Sequence, residues 1–414
     1  MLQDFKKSIL VSFWFVFLTF PLMVVRVNTM NQVVIWRWMN MLWVAIGAFV
    51  LSYLWRYMLA RQQMRKQVAD EGGEVRSKTQ LLLEDMSFRY KAMGIILLAA
   101  LVFPLVFDTY QSTIMISALI YVVLGLGLNI SVGLAGLLDL GYVAFFGVGA
   151  YTYALLNHHF GLGFWTTLPI GGILGCLFGV ILGFPILRLR GDYLAIVTLG
   201  FGMIFKVVME NWDALSFGPS GIANIDKPSF FGMDLSLANS TIYIYYIMIA
   251  MVIFTILVTN RLKNSRIGRA WIAMREDETA CVAMGIDIAR TKLSAYALGA
   301  FWAGMVGVLF ASKTTFINPA SFTFMESAII LSIVVLGGMG SILGVIIGAF
   351  FLILLPEYMR AFSEYRMLAF GAAMVLMMIF RPQGIISNLR QTYEYKGSKD
   401  KICLLYTSPS PRDS

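Results

Sequence analysis

The sequence predicts an all-α fold: a polytopic membrane protein of about ten to twelve transmembrane segments, some broken at glycines or re-entrant. Three observations predict it. Hydrophobic residues make up 59% of the 414 and charged residues 13%, far from the roughly 45–50% and 25% of soluble domains. The apolar residues gather into runs of about 14–25, the length that crosses a hydrocarbon core about 30 Å thick. The Lys and Arg behind the net charge of +9 sit in particular loops, as the positive-inside rule requires, rather than forming a nucleic-acid surface.

Spans are expected near 8–25, 33–55, 92–107, 113–130, 141–157, 164–187, 193–209, 241–259, 292–311, 326–338, 342–356 and 367–380. This set places both termini and every Lys/Arg-rich loop on the cytoplasmic side, including Arg56–Lys91 and Arg261–Lys292. The loop Glu210–Ser240 carries Glu210, Asp213, Asp226 and Asp234 against Lys227 alone, and is expected outside. A helix over 326–338 is only about 20 Å long at 1.5 Å per residue, so it is expected to be a half-helix or re-entrant.

The first apolar run, Ser8–Val25, lacks a small-residue cleavage pattern and leads into a second span, which argues against a cleaved signal peptide. Residues 1–91 read as a two-span extension with a cytoplasmic linker around Glu71-Gly72-Gly73-Glu74, and residues 92–388 as the core. In the tail, 389–414, the last fourteen residues break the pattern: KICLLYTSPSPRDS resembles translated sequencing-adaptor DNA and stands outside the fold argument. The cysteines Cys176, Cys281 and Cys403 have no CxxC spacing, so neither a zinc site nor a disulfide framework is expected.

Two glycine-rich segments, Leu124–Tyr151 and Val335–Phe350, each open at a Val-Leu-Gly step, Val123-Leu124-Gly125 and Val335-Leu336-Gly337. Glycines this dense either allow helices to pack closely or mark broken helices lining a cavity. In the second reading the substrate pathway runs past Gly125, Gly127, Asn129, Gly133, Gly136, Asp139, Gly337, Gly338 and Gly340. A new helix N-terminus there offers unpaired N–H groups to a carboxylate, and the surrounding aliphatic residues suit a small amphipathic acid better than a sugar. Asp139 is either a cap at the break or a gating group. Asp192 beside Arg190 reads as an interfacial pair or cap, Lys206–Glu210 as a local helix pair, and His158 and His159 as solvated.

The insert Gly268–Asp287 is amphipathic. Trp271, Ile272, Met274, Cys281, Val282 and Met284 fall on one side of a helix. Arg269, Arg275, Glu276, Asp277 and Glu278 make the polar side, and Gly285 is placed to end it as an αL cap. Such a helix on the cytoplasmic face either lies on lipid or docks into another protein. The chain has no GxxxxGK[ST] phosphate loop, so ATP hydrolysis by that route is not expected of it, and no HExxH, GxSxG or selectivity filter points to an intramembrane enzyme or a channel.

The segments RGDYLAIVTLGF (Arg190–Phe201), FGPSGI (Phe217–Ile222), GRAWIAMREDE…MGI, VVLGGMGSILGVIIGA (Val334–Ala349) and RPQGII (Arg381–Ile386) occur in this order. Together they resemble the inner-membrane permease of branched-chain amino acid ABC importers, the LivM-type subunit, from about Lys91 to Asn388. The two-span extension resembles one carried by many proteobacterial members. The resemblance implies a second, LivH-like permease, two ATPase subunits that hold ATP and Mg, and a periplasmic amino-acid-binding protein. It further implies that Trp271–Gly285 is the ATPase-coupling loop, with Trp271, Met274, Arg275, Glu276, Asp277, Glu278 and Gly285 as its residues, and that the chain holds no catalytic residue, metal or cofactor of its own. Permeases for urea and short amides share much of the pattern, and a secondary carrier is disfavoured because intramembrane acidic residues are scarce.

Overall fold

The computed structural model describes residues 25–28, 33–36, 100–186, 189, 191–228, 237–358, 371–372, 374–375 and 384–385. The chain divides into two compact units, Met1–Ile96 and Leu97–Ser414. In the first, strands β1 (Val25–Asn28) and β2 (Val33–Trp36) pair antiparallel, Val25 opposite Trp36 and Asn28 opposite Val33. The second span was expected to begin as a helix at residue 33. Instead Val33-Val34-Ile35-Trp36 forms a strand, because β-branched and aromatic residues favour a pleated pair. The expected span 8–25 (Val25 aside), the remainder of 33–55, the loop to Lys91, the span 367–380 apart from four residues, and the tail lie outside the described residues.

The second unit is helical. Its main helices are α1 (Thr109–Leu128), α2 (Val143–Phe160), α3 (Phe164–Ile186), α4 (Asp192–Asn211), α5 (Leu237–Lys263), α6 (Arg266–Glu276), α7 (Glu278–Ala283), α8 (Ile288–Thr314), α9 (Phe324–Gly337) and α10 (Ile342–Tyr358). Six runs among the described residues are long and apolar enough to cross a membrane: 109–134, 164–185, 193–211, 239–263, 288–314 and 319–337. The last joins the 3₁₀ turn Pro319–Ser321 to α9 through Phe322 and Thr323. The continuous helix has 14 residues, about 21 Å at 1.5 Å per residue, the short length expected there.

The bundle closes around α8, which packs against α3, α2 and α1, while α5 and α10 pack on α1. The seam is backbone to backbone. A Cβ on Gly304 of α8 would lie 2.3 Å from the Gly171 carbonyl oxygen on α3, and one on Gly149 of α2 would lie 2.0 Å from the Gly304 oxygen. Only glycine permits that approach, and in a membrane such contact replaces the missing hydrophobic drive between helices. Trp302, Val306 and Leu309 of α8 fill the interior beside the seam.

The two ends of the bundle differ in charge. At one, the Ile222–Ile317 bridge, the Asn157 amide to Asp226 (2.9 Å) and the Tyr153 hydroxyl to the Asp226 carbonyl (2.7 Å) close the loops near Glu210, Asp213 and Asp226. Lys206 pairs with Glu210 at 3.3 Å as an i,i+4 couple, and His158 and His159 are exposed there. At the other end lie α6, α7 and the basic residues Arg261, Lys263, Arg266 and Arg269.

Candidate functional site: a charged elbow on two broken helices

The insert expected as one helix is two. Asp277 is extended (φ −157°, ψ 112°), ending α6 and starting α7, where its carboxylate accepts from the N–H groups of Thr279 (2.7 Å) and Ala280 (3.0 Å). An Asp that caps its own downstream helix outcompetes continuation of the upstream one. Ser265 opens α6 in the same way, accepting from Gly268. Gly285, at φ +80°, follows α7 in the left-handed conformation expected of its cap.

The break turns the apolar residues in two directions. Trp271, Met274 and Cys281 are buried within the chain, whereas Val282 and Met284 are 60% and 82% exposed. Trp271 anchors the elbow: its indole N–H donates to the Thr291 carbonyl (3.1 Å) and the Ser294 hydroxyl (3.0 Å) of α8. Glu278, expected on the polar rim, instead faces Lys292, which is 1% exposed; their charges meet at 2.8 Å. A buried cation of this kind requires such a partner. Glu276 and Asp277 remain exposed.

Arg275 is the central residue. Its Nη1 donates to the Gly133 carbonyl at 2.6 Å. Gly133 lies in a π-helical segment, Asn129–Leu134, that continues α1, and its carbonyl is one of the orphans a helix end leaves. A guanidinium there also complements the negative end of the helix dipole. Gly136 (φ +73°) leaves room for it, since a Cβ would fall 2.4 Å from Arg275 Cγ.

The second glycine break joins the same assembly. Gly338 (φ 110°) and Gly340 (φ 80°) reverse the chain between α9 and α10. The Gly340 N–H donates to Asn129 Oδ1 (2.8 Å), and its carbonyl accepts from Lys263 Nζ (3.0 Å) at the end of α5. Ile385 donates to the Leu336 carbonyl at 2.9 Å, bringing Gly384 and Ile385 onto the same turn. The two breaks and the elbow therefore form one polar knot at the basic end of the bundle. A cavity of about 320 Å³ opens beside it, between Ala135–Gly136 and Met274–Thr279.

The remaining pathway candidates sit in tight contacts. A Cβ on Gly125 would lie 2.9 Å from Val345 Cγ1 and 3.1 Å from Ile333 Cγ2, one on Gly127 2.2 Å from the Tyr142 hydroxyl, and one on Gly337 2.4 Å from the Gly344 carbonyl. Asp139 is 2% exposed; Oδ1 accepts from the Gly141 N–H at 3.0 Å ahead of α2, and Oδ2 has no partner among the described residues. Burial pushes its pKa up to about 7 against the lowering effect of that hydrogen bond. The side chains of Arg190 and Asp192 lie outside the described residues. Sequence reasoning missed Lys263 and Lys292, which the high cost of burying an ammonium could have flagged.

The helical bundle with an external two-helix elbow is the architecture of a membrane transport subunit. Residues 110–380 match the family model described as branched-chain amino acid transport system / permease component, and the chain belongs to that family. It is 43% identical over 387 residues to the high-affinity branched-chain amino acid transport system permease protein LivM of Escherichia coli (strain K12), covering 88% of this chain and 89% of the relative. It is 25% identical over 296 residues to the probable branched-chain amino acid transport permease protein LivM of Methanocaldococcus jannaschii, covering 63% and 84%. The permease protein LivH of the E. coli system is 24% identical over 290 residues, covering 64% of this chain and 91% of LivH. No solved structure matches this chain.

Proposed function

We infer that this chain is the LivM-like half of a permease pair in an ATP-driven importer of the bacterial cytoplasmic membrane, carrying leucine, isoleucine or valine inward from a periplasmic binding protein. Its partners are a LivH-like permease, two ATPase subunits that bind ATP and Mg, and the binding protein. The names of its relatives support the substrate class, and likeness to both LivM and LivH supports the pairing. The charge difference between the ends of the bundle supports an orientation with the elbow in the cytoplasm.

The observation that carries the mechanism is the hydrogen bond from Arg275 to Gly133, a cytoplasmic elbow gripping a broken membrane helix. The exposed patch of Val282, Ala283 and Met284 is the surface offered to an ATPase groove, and Glu276 and Asp277 border it. Trp271 and the Lys292–Glu278 pair hinge the elbow on the first turns of α8, away from the glycine seam at Gly304. Closure of the ATPase pair then displaces the elbow, and Arg275 passes the displacement to Asn129–Leu134 and, through Asn129 and Gly340, to the α9–α10 turn. Those are the groups that would open or close a path toward the cytoplasm.

The test is uptake of radiolabelled leucine and ATP hydrolysis by the reconstituted complex. Changing Val282 and Met284 to Asp should weaken retention of the ATPase subunits on purification. Full retention with normal uptake would show that the elbow is not the coupling element.

A further inference from the structure

At the opposite end of α1 from the knot, two ionisable groups meet successive turns of that helix, and the coupling mechanism uses neither. The ammonium of Lys313 on α8 donates to the Ser117 hydroxyl, and the Tyr121 hydroxyl donates to Glu326 Oε2 on α9. Ser117 and Tyr121 are one turn apart on α1, roughly 6 Å along the axis. All four side chains are half-buried. No ion pair among the described residues joins Lys313 to Glu326. Each charge is thus steadied by one neutral hydroxyl and keeps capacity to spare: an ammonium has three donors and a carboxylate about four acceptor sites.

We propose that Ser117, Tyr121, Lys313 and Glu326 form the outer binding site of the permease for an α-amino acid zwitterion, Lys313 receiving the carboxylate and Glu326 the ammonium. The proposal rests on the amino-acid reading above and names residues for it. Opposite charges held apart in a partly desolvated setting are costly, and a neutral ligand bearing both charges on one carbon offsets both at once. A sugar or a simple amide can hydrogen-bond to both groups but carries no charge to offset either. The site also lies on a continuous ridge: Thr113, Ser117, Tyr121, Gly125, Asn129 and Gly133 follow at steps of four, a row that stays on the helix surface. Below the charged groups Gly125 packs against the aliphatic side chains of Ile333 and Val345, and the row then reaches the knot at Asn129 and Gly133. A head-group site, an aliphatic contact and an energy-coupled gate succeed one another in the order that a small aliphatic amino acid would meet them.

The experiment uses the whole complex in proteoliposomes, with leucine-loaded binding protein outside and ATP inside. Lys313→Met and Glu326→Gln should each lower uptake roughly tenfold or more, as removing one member of a semi-buried charged set does. The exchanged pair Lys313→Glu with Glu326→Lys should recover a large part of it, because the zwitterion can lie reversed. The apolar pair Lys313→Met with Glu326→Leu should assemble with an unchanged melting temperature and still fail to transport. A purely structural cluster gives the opposite result: the apolar pair transports at the wild-type rate, or the exchanged pair does no better than the single variants. Either outcome overturns the site while leaving the importer reading intact. A wild-type complex that moves no α-amino acid overturns the parent reading, and the site with it.

Discussion

The α2–α3–α8 seam and the knot under the elbow are both dense in glycine, yet they are built on different physics. In the seam, Gly149, Gly171 and Gly304 bring carbonyls and Cα atoms of three helices into contact, so around Gly149 and Gly304 the nearest atoms are backbone, which cannot repack. In the knot, glycines break the helices, and long polar side chains from other elements repair the exposed backbone: Arg275 at Gly133, and Lys263 and Asn129 at Gly340. A seam without adjustable parts behaves as a rigid body. A break bridged by a few side-chain hydrogen bonds can exchange them for others at modest cost, which makes it the place for a moving joint.

The contrast is sharpest at Gly304. Leucine there should prevent assembly altogether, since overpacking at two backbone contacts costs several kcal/mol with no route to relax; size-exclusion of the detergent-extracted complex would show aggregate or no protein. Arg275→Met at the knot should give the converse result. Assembly persists, leucine uptake falls about tenfold or more, and ATP hydrolysis continues, because an uncapped carbonyl at a joint loosens coupling before it unfolds a bundle.

Asp139, between the regions, should give a pH signature of intermediate size. Its pKa is about 7 when folded against an ordinary 3.8, so the folded state holds the proton more tightly than the unfolded one. Stability is therefore full below the unfolded value, falls as pH rises between the two and is flat above the folded one. Thermal unfolding of the purified complex should show a loss of about 1–3 kcal/mol from pH ~5 to ~8 that Asp139→Asn abolishes. The smallest effect on uptake belongs to Trp271→Phe. It removes the indole donor and leaves a small void where a fully buried ring lay, costing about 2 kcal/mol in the same assay with uptake largely retained.

Much of the bundle was legible because hydropathy is a property of contiguous residues. The runs near 164–187, 193–209 and 342–356 match α3, α4 and α10 within two residues at either end. Gly285 was legible as a left-handed cap for the same local reason. The π-helical stretch Asn129–Leu134 was not, since NISVGL carries no period that separates it from α-helix. The division of the elbow at Asp277 left a signal that was passed over: an Asp ahead of Glu278-Thr279-Ala280 is a helix-start pattern inside an apparent helix. The inward turn of Arg275 had no such signal. Its acceptor lies 142 residues away, and amphipathic periodicity counts every arginine as outward-facing. Charge pattern alone likewise placed Glu278 on a rim, where the buried Lys292 draws it inward.

The central claim is that elbow and breaks move as one piece against the glycine-seamed bundle. Spin labels at the exposed positions Ala283, Met339 and Phe160 of the assembled complex test it by pulsed distance measurement, with and without a non-hydrolysable ATP analogue. The account predicts that the 283–339 distance stays narrow and unchanged on nucleotide binding, that both positions shift relative to 160, and that Arg275→Met broadens the 283–339 distance. A 283–339 distance that changes with nucleotide while 339–160 stays fixed would contradict it.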